Sequence, residues 1–443
     1  YDYQNIQLDG QLTEKTYDGY INISDPNIEV DFKGGIDFSK EIPSFNFEAN
    51  VPYTNLYGLN IDKKDSTANL SFDVTANFEG IDIDHAVGEI RFANTKLRKL
   101  NTDLEFDTLK LTSVQNSDTQ HVELKSDYID AFLVGKYTSS TILPSLKNLY
   151  YNYFPNLVND PNDTSHLEKN NQFVLNIDFK ETHTLSRFFL PSVYLANNAS
   201  LELNYNANLN KLHLVASTSQ LNYKDHTFIN LKTSTFSNDS IFTSLTRCSS
   251  FLLNNYFELE NFKTTSLTNR NNVDLKIDWN NNDTVEYEGK ILASTFIKQK
   301  EPFGDPSFIF TILPSQIIVS DSLWQINKSL VKLDSTSLSF KSFKINHGNQ
   351  NFVINGKVSE NPDDTLFLEF ENLNLSHINV LTKGKKLKFG GVINGKANFS
   401  SIFNNPLFYS DLRINNLVLN DEELGFTQIY SRWIEQSEAI QLE

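Results

Sequence analysis

The chain has one cysteine, Cys248, in 443 residues, and no methionine at all. A lone thiol forms no internal disulfide, and its presence excludes neither an oxidising nor a reducing compartment. Glycine and proline are sparse, 17 and 12 residues, and scattered, so no Gly/Ser or Pro-rich linker marks a domain boundary. No apolar run approaches the length of a membrane-spanning helix, and no signal peptide opens the chain. The start at Tyr1 predicts a fragment or a processed form. Cations are outnumbered, 38 Lys and Arg against 55 Asp and Glu, for a formal charge of −17. That balance argues against nucleic acid and anionic membrane surface as direct partners, and solubility accounts for it.

Motifs for chemistry are also lacking. The eight histidines, His85, His121, His166, His183, His213, His226, His347 and His377, never stand at HxH, HxxxH or HExxH spacing, so no zinc site is expected. Asp160, Asn162 and Thr164 imitate the start of a calcium loop. Ser165 replaces the glycine such a loop requires, and Asn171 stands where its bidentate Glu belongs, so an Asx-rich turn is the better reading. No GxSxG, P-loop or GxGxxG occurs. Acidic pairs such as Asp82 with Asp84 read as turn residues. Asn-x-Ser/Thr tripeptides, at Asn22, Asn69, Asn198, Asn327 and Asn374, are what a chain rich in these residues contains by chance. The expectation is a protein without catalytic residues, metal or cofactor.

What is present is a period of two. Ile28, Val30, Phe32, Gly34, Ile36 and Phe38 alternate with Glu29, Asp31, Lys33 and Asp37, giving a strand with one oily and one wet face. Each alternating run is read separately, because a slip of one residue sends every later side chain to the other face. The pattern returns in several more runs, and antiparallel sheet is its natural form. The residues nominated for the apolar surface are Phe32, Phe45, Phe47, Leu70, Phe72, Val74, Leu201, Leu203, Tyr205, Leu366, Leu368 and Phe370. A strip of this kind gains roughly 0.8 kcal/mol per methylene buried against it, so it suits acyl chains. The same pattern would also fill a dry β-sandwich core, and periodicity does not separate the two.

At 443 residues, with even composition, the chain is expected to be one elongated body that grows strand by strand, spanning 1–443. The period turns helical over 141–158, where Ile142, Leu146, Leu149, Tyr150, Tyr153, Phe154 and Leu157 recur at three- and four-residue steps. Thr141 is the expected N-cap, with Pro144 in the first turn. The helix should lay its Leu146, Leu149 and Tyr153 face on the sheet. The polar stretch 158–171 reads as a loop, and a shorter helix is expected over 184–190, stopped before Pro191. Trp279, Trp324 and Trp433 stand near strand ends, where packing is the plain explanation and binding of sugar or membrane the sharper one.

Several stretches resemble the TamB proteins of Bacteroidota, translocation and assembly module subunits of the AsmA-like superfamily. They are NLYGLNI (55–61), FEGIDIDHAVGEIRFANT (78–95), DSLWQIN (321–327), GKVSENPDD (356–364) and GGVINGKANFSSIFNNPLFYSDLRINNLVLNDEELG (390–425). The resemblance spans about 20–443 and is strongest in the last hundred residues. It implies a mostly β protein of the periplasm or cell envelope of a Gram-negative bacterium, an elongated antiparallel, twisted, groove-shaped β-taco sheet with one or two short amphipathic helices. It further implies an N-terminal inner-membrane anchor and a C-terminal domain that meets an outer-membrane BamA/TamA-type barrel, both outside this sequence. The function it implies is phospholipid movement between the membranes, or assembly of outer-membrane proteins, without catalysis. Three readings therefore compete: a lipid conduit, an assembly factor whose sheet edges pair with nascent strands, and an adhesive β-sandwich array.

Overall fold

A computed structural model describes residues 3–100, 102–158, 171–254, 257–281, 284–300, 304–382, 387–400, 407–434 and 439–442. Among them are 29 strands, and every strand pairing within each part of the chain is antiparallel. The chain is mostly β, as the alternating runs require. Its contacts gather it into two compact units, Tyr1–Leu146 with Asp163–Lys224, and Lys147–Asn162 with Asp225–Glu443.

In the first unit the ladder follows the chain from Ile6–Leu12 to Ile129–Lys136, then through Gln172–Phe179 and Ala199–Asn206 to Lys211–Tyr223. In the second it runs from His226–Ser237 to Tyr287–Lys300, where it forks. Gly304–Ile312 and Ser315–Val319, parted at Pro314, each pair with Tyr287–Lys300; their partners Ser329–Asp334 and Ser322–Ile326 both rejoin Ser337–His347. Proline cannot donate to a ladder, so the break at Pro314 has a local cause. Tight hairpin turns at Arg270-Asn271, Ser320-Asp321 and Asn420-Asp421 have both central residues at positive φ, from 43° to 71°. This is the mirror-image turn whose twist matches that of the flanking strands.

The period of two is interrupted inside several strands. At Asn94, Asn230, Asn261, Ser342, Asn372 and Asn416 a mid-strand residue is left-handed, with φ between 47° and 58°. At Asn94, Ser342, Asn372 and Asn416 the register slips by one residue. Each is a bulge, and asparagine tolerates the conformation better than most residues. A neighbouring strand supplies polar support: Asn94 Nδ2 donates to Asp73 at 2.7 Å, and the backbone N–H of Ser342 and of Asn372 donates to Asn355 Oδ1 and Asn394 Oδ1 at 2.6 and 2.8 Å. The bulge carries apolar residues three apart to one side. Phe340 and Phe343 meet edge to face at 5.8 Å, and Phe370 and Leu373 share one apolar cluster.

The long helix is Ser139–Tyr153, two residues earlier at its start than expected and five shorter at its end. Thr141 is inside the first turn, its hydroxyl bonded back to the Thr138 carbonyl, and the Asp84 carboxylate accepts the Ser139 N–H at 2.7 Å. Pro144 falls in the second turn rather than the first. Pro155 accounts for the early stop, since a residue before proline is steered away from helix. In the first unit Asn171 ties the first turns down, accepting from Thr138 N and donating to Thr141 and Ser145 hydroxyls, and Tyr205 donates to the Ser145 carbonyl. Leu146 is half-buried. In the second unit Leu149 and Tyr153 are buried, and Tyr150, Tyr153 and Phe154 all ring Phe242 at 5.4–5.5 Å. The short helix is His183–Phe189, ending at Leu190 before Pro191. The calcium-like stretch at Asp160, Asn162 and Thr164 and the polar loop around it lie outside the described residues, as does the side chain of Trp433.

Candidate functional site

Directly opposite residues of an antiparallel ladder share a face, so the register decides where each nominated residue stands. In the first unit Phe32 is opposite Ala49, Ala49 opposite Val74, and Val74 opposite Phe92. Phe45 is opposite Phe78, and the two rings stack at 4.6 Å. Leu203 is opposite Leu175, and Leu175 opposite Leu133. Followed strand by strand, Phe32, Phe45, Phe47, Leu70, Phe72, Val74, Leu201, Leu203 and Tyr205 occupy one face of the first unit's ladder. In the second unit Leu366, Leu368 and Phe370 share a face with Gly356, Ile354 and Phe352.

Burial divides these twelve. Leu203 and Tyr205 are buried, whereas the other ten are only half-buried. Residues at the centre of a close-packed sandwich core lose nearly all contact with solvent. Here the apolar face remains partly open in both units.

Each unit holds a cavity on that face. The smaller, of about 490 Å³ in the first unit, is lined by Phe45, Phe78, Ile90, Leu111, Val122 and Leu133, with the segment Gly80–Ala86 bringing Ile81 and Ile83 to its rim. The larger, of about 630 Å³, lies in the second unit. Its wall is Leu259, Ile317, Val319, Ile345, Phe352, Phe370 and Leu373, with Trp279 and Trp324. The 3₁₀ turn Leu375–Ile378 and the short helix Asn379–Thr382 bring His377, Ile378 and Val380 to it, and that helix meets the strand Phe257–Asn269. Asn374 caps the turn, its Oδ1 accepting from Ser376 N at 3.0 Å.

Polar groups around this cavity are few. Glu258, Glu260, Asn281 and Tyr287 belong to its lining, together with His377. The rings of Trp324 and His377 meet edge to face at 5.2 Å, and His347 is 5.5 Å from Trp324 and 6.4 Å from His377. Burial, helped by His347, holds the His377 imidazole below its usual pKa and so in its neutral form. Trp324 Nε1 and His377 Nδ1 are buried without a hydrogen-bond partner. An unmet buried donor costs about 1–3 kcal/mol. Cys248 is also buried, which pushes its thiol up to about 11, so it is no nucleophile. Among the described residues no three His, Cys, Asp or Glu side chains stand close enough to share a metal ion, and no helix is long and apolar enough to cross a membrane.

The chain matches no protein-family model, no curated protein and no solved structure.

Of the nominated residues Phe45 lines the first unit's cavity and Phe370 the second unit's. The sequence reading missed the segment 375–382 and the residues three apart across each bulge. A signal for the latter exists in the sequence as a large apolar residue, any residue, Asn or Ser, then another apolar one: Phe340-Lys341-Ser342-Phe343, Phe370-Glu371-Asn372-Leu373, Ile414-Asn415-Asn416-Leu417.

Proposed function

We propose that this chain is a non-enzymatic protein of the Gram-negative envelope that holds phospholipid acyl chains on the apolar faces of its ladders and acts in phospholipid transport between inner and outer membrane. The observation that carries the reading is the cavity of about 630 Å³ bounded by Leu, Ile, Val, Phe and Trp side chains. Pockets of this size and composition hold small apolar ligands. The half-buried state of ten nominated residues supports it, because an open apolar face of this kind calls for a cover. The TamB-like stretches support it from the sequence side. On that resemblance the whole protein is anchored in the inner membrane at its N-terminal end and meets a BamA/TamA-type barrel at its C-terminal end.

The test is lipid analysis of the chain purified from a Gram-negative host without detergent exchange. Stoichiometric phospholipid, lost after Phe370→Asp in a chain that still folds, is expected. A lipid-free parent chain that also fails to take up a brominated acyl probe overturns the reading.

A second reading, as an assembly factor for outer-membrane proteins, draws on the strand Ile6–Leu12, exposed at every residue and, among the described residues, paired along one edge only, with Thr16–Asp25. An unpaired edge is a template for strand addition. Photo-crosslinking from Leu8 to a nascent barrel strand tests it.

A further inference from the structure

We propose that the first unit's cavity selects lipids whose head is an uncharged hydroxyl, seating one hydrocarbon chain on its apolar wall and holding the hydroxyl between Gln120 and Tyr137. This rests on the acyl-binding reading and names the class of lipid. The register puts both polar side chains on the cavity's side of the ladder. Phe45, Phe78, Gly88, Ser113, Val122 and Leu133 are opposite partners from each strand to the next, so they share one face. Gln120 stands two residues before Val122, which keeps it on that face. Tyr137 joins it there, its ring 6.1 Å from that of Phe173, the partner of Gly135. Gln120 and Tyr137 both line the cavity. Gln120 is directly opposite Gly135, so no side chain fills the space beside its amide. Tyr137 is then its diagonal neighbour, about 7–8 Å away at the backbone, a span that one ligand oxygen can bridge.

Each of these two groups lacks the partner it needs. Gln120 is 7 % exposed, and its Nε2 donates to the Ile83 carbonyl at 3.4 Å and to the Ser113 hydroxyl at 3.3 Å. A carbonyl only accepts, so the amino group is the one that faces Ile83 and the amide oxygen points elsewhere. That oxygen, Oε1, has no hydrogen-bond partner among the described residues, and neither has the buried Tyr137 hydroxyl. Burial, with Asp84 nearby, pushes Tyr137 up to about 12, so its O–H stays a donor. The Asp82 carboxylate is engaged within its own segment, accepting from the Asp84 and His85 N–H groups at 3.0 Å and meeting His85 Nδ1 at 2.7 Å. A ligand hydroxyl donates to Gln120 Oε1 and accepts from Tyr137 through the same oxygen. An ether accepts without donating, a carboxylate brings no proton and an ammonium no lone pair, and the last two also carry a charge out of water. Size fixes the number of chains. At ~30 Å³ for each group about the size of a water, the cavity of about 490 Å³ takes roughly sixteen, one chain with its head.

The experiment uses the full chain stripped of lipid and four single-chain probes below their micelle concentrations: 1-nonanol, its isomer 1-methoxyoctane, nonylammonium and nonanoate. Binding is read by calorimetry, and thermal unfolding shows that each variant is folded. Nonanol should bind about tenfold tighter than methoxyoctane, and tighter than either charged probe. Gln120→Leu, which removes the acceptor and keeps the volume, should bring nonanol down to methoxyoctane. Tyr137→Phe should weaken the two isomers alike, by several fold, because both accept from its hydroxyl; this arm decides alone should Gln120→Leu fail to fold. Equal binding of the isomers, tighter binding of a charged probe, a preference for nonanol that survives Gln120→Leu, or isomers indifferent to Tyr137→Phe overturns the inference and leaves acyl binding standing. Failure of all four probes to bind overturns acyl binding itself.

Discussion

Phe72→Asp places a carboxylate on the apolar face of the first unit, and its cost can be worked from the structure. Phe72 is half-buried and meets Phe92 edge to face at 5.5 Å. Burial of roughly two thirds or more of such a side chain is worth ~1–2.5 kcal/mol, and the ring pair adds about 0.5–1.5 kcal/mol. Because the site is partly open, the new carboxylate keeps some of its water, so the total loss is about 2–4 kcal/mol. A domain of ordinary stability, ~5–15 kcal/mol, survives that. Leu203→Asp is the contrast. Leu203 is buried between Leu175 and Leu214 of the adjoining strands, so the substitution loses ~2–5 kcal/mol of packing and strands a charge at a cost of several more. The assay is thermal unfolding of each variant with phospholipid recovered from the same preparation. Phe72→Asp should melt a few degrees lower, stay folded, and carry less lipid than the parent; Leu203→Asp should unfold. If Phe72→Asp unfolds as completely as Leu203→Asp, the face is a dry core. If it folds and carries the parent's lipid, acyl chains do not run along it.

Three further outcomes are expected. Asn372→Val, forcing a β-branched residue to φ 49°, should cost about 1–2 kcal/mol in urea unfolding while Asn372→Gly costs a few tenths; equal effects would mean the bulge relaxes. Asn171→Ala removes the acceptor for Thr138 N and a donor to Thr141 and Ser145 at a site 1 % exposed, and should cost about 2–3 kcal/mol, with loss of helix visible in circular dichroism. Lys99, 2.9 Å away, and the Lys64 N–H pull the Asp62 carboxyl down to about 2. Its folded pKa lies below the unfolded value near ~3.9, so its stabilisation is whole above that pH and disappears as pH falls toward 2. Asp62→Asn should therefore be less stable than the parent at pH 6 and indistinguishable from it near pH 2; a gap that persists at pH 2 would refute the assignment.

The sequence by itself determined the kind of structure and which side chains share a face. Alternation at Phe45, Phe47 and at Leu201, Leu203, Tyr205 needs only the two-residue repeat of a strand, a local property of the backbone. The helix at Ser139–Tyr153 was legible for the same reason, since its three- and four-residue steps are local too. Its first residue was not, because the cap comes from Asp84, far away in sequence. Tertiary structure alone decided the rest. Leu203 and Phe72 look alike in their alternating runs, yet one is sealed and the other half open, because burial depends on what is laid over a strand and not on the strand's own pattern. The bulges at Asn94, Asn372 and Asn416 shift the apolar phase along their strands. The cavity joins Leu259, Trp279, Trp324 and Phe370, residues spread over more than a hundred positions, and a site assembled across so many strands has no period for a sequence to carry.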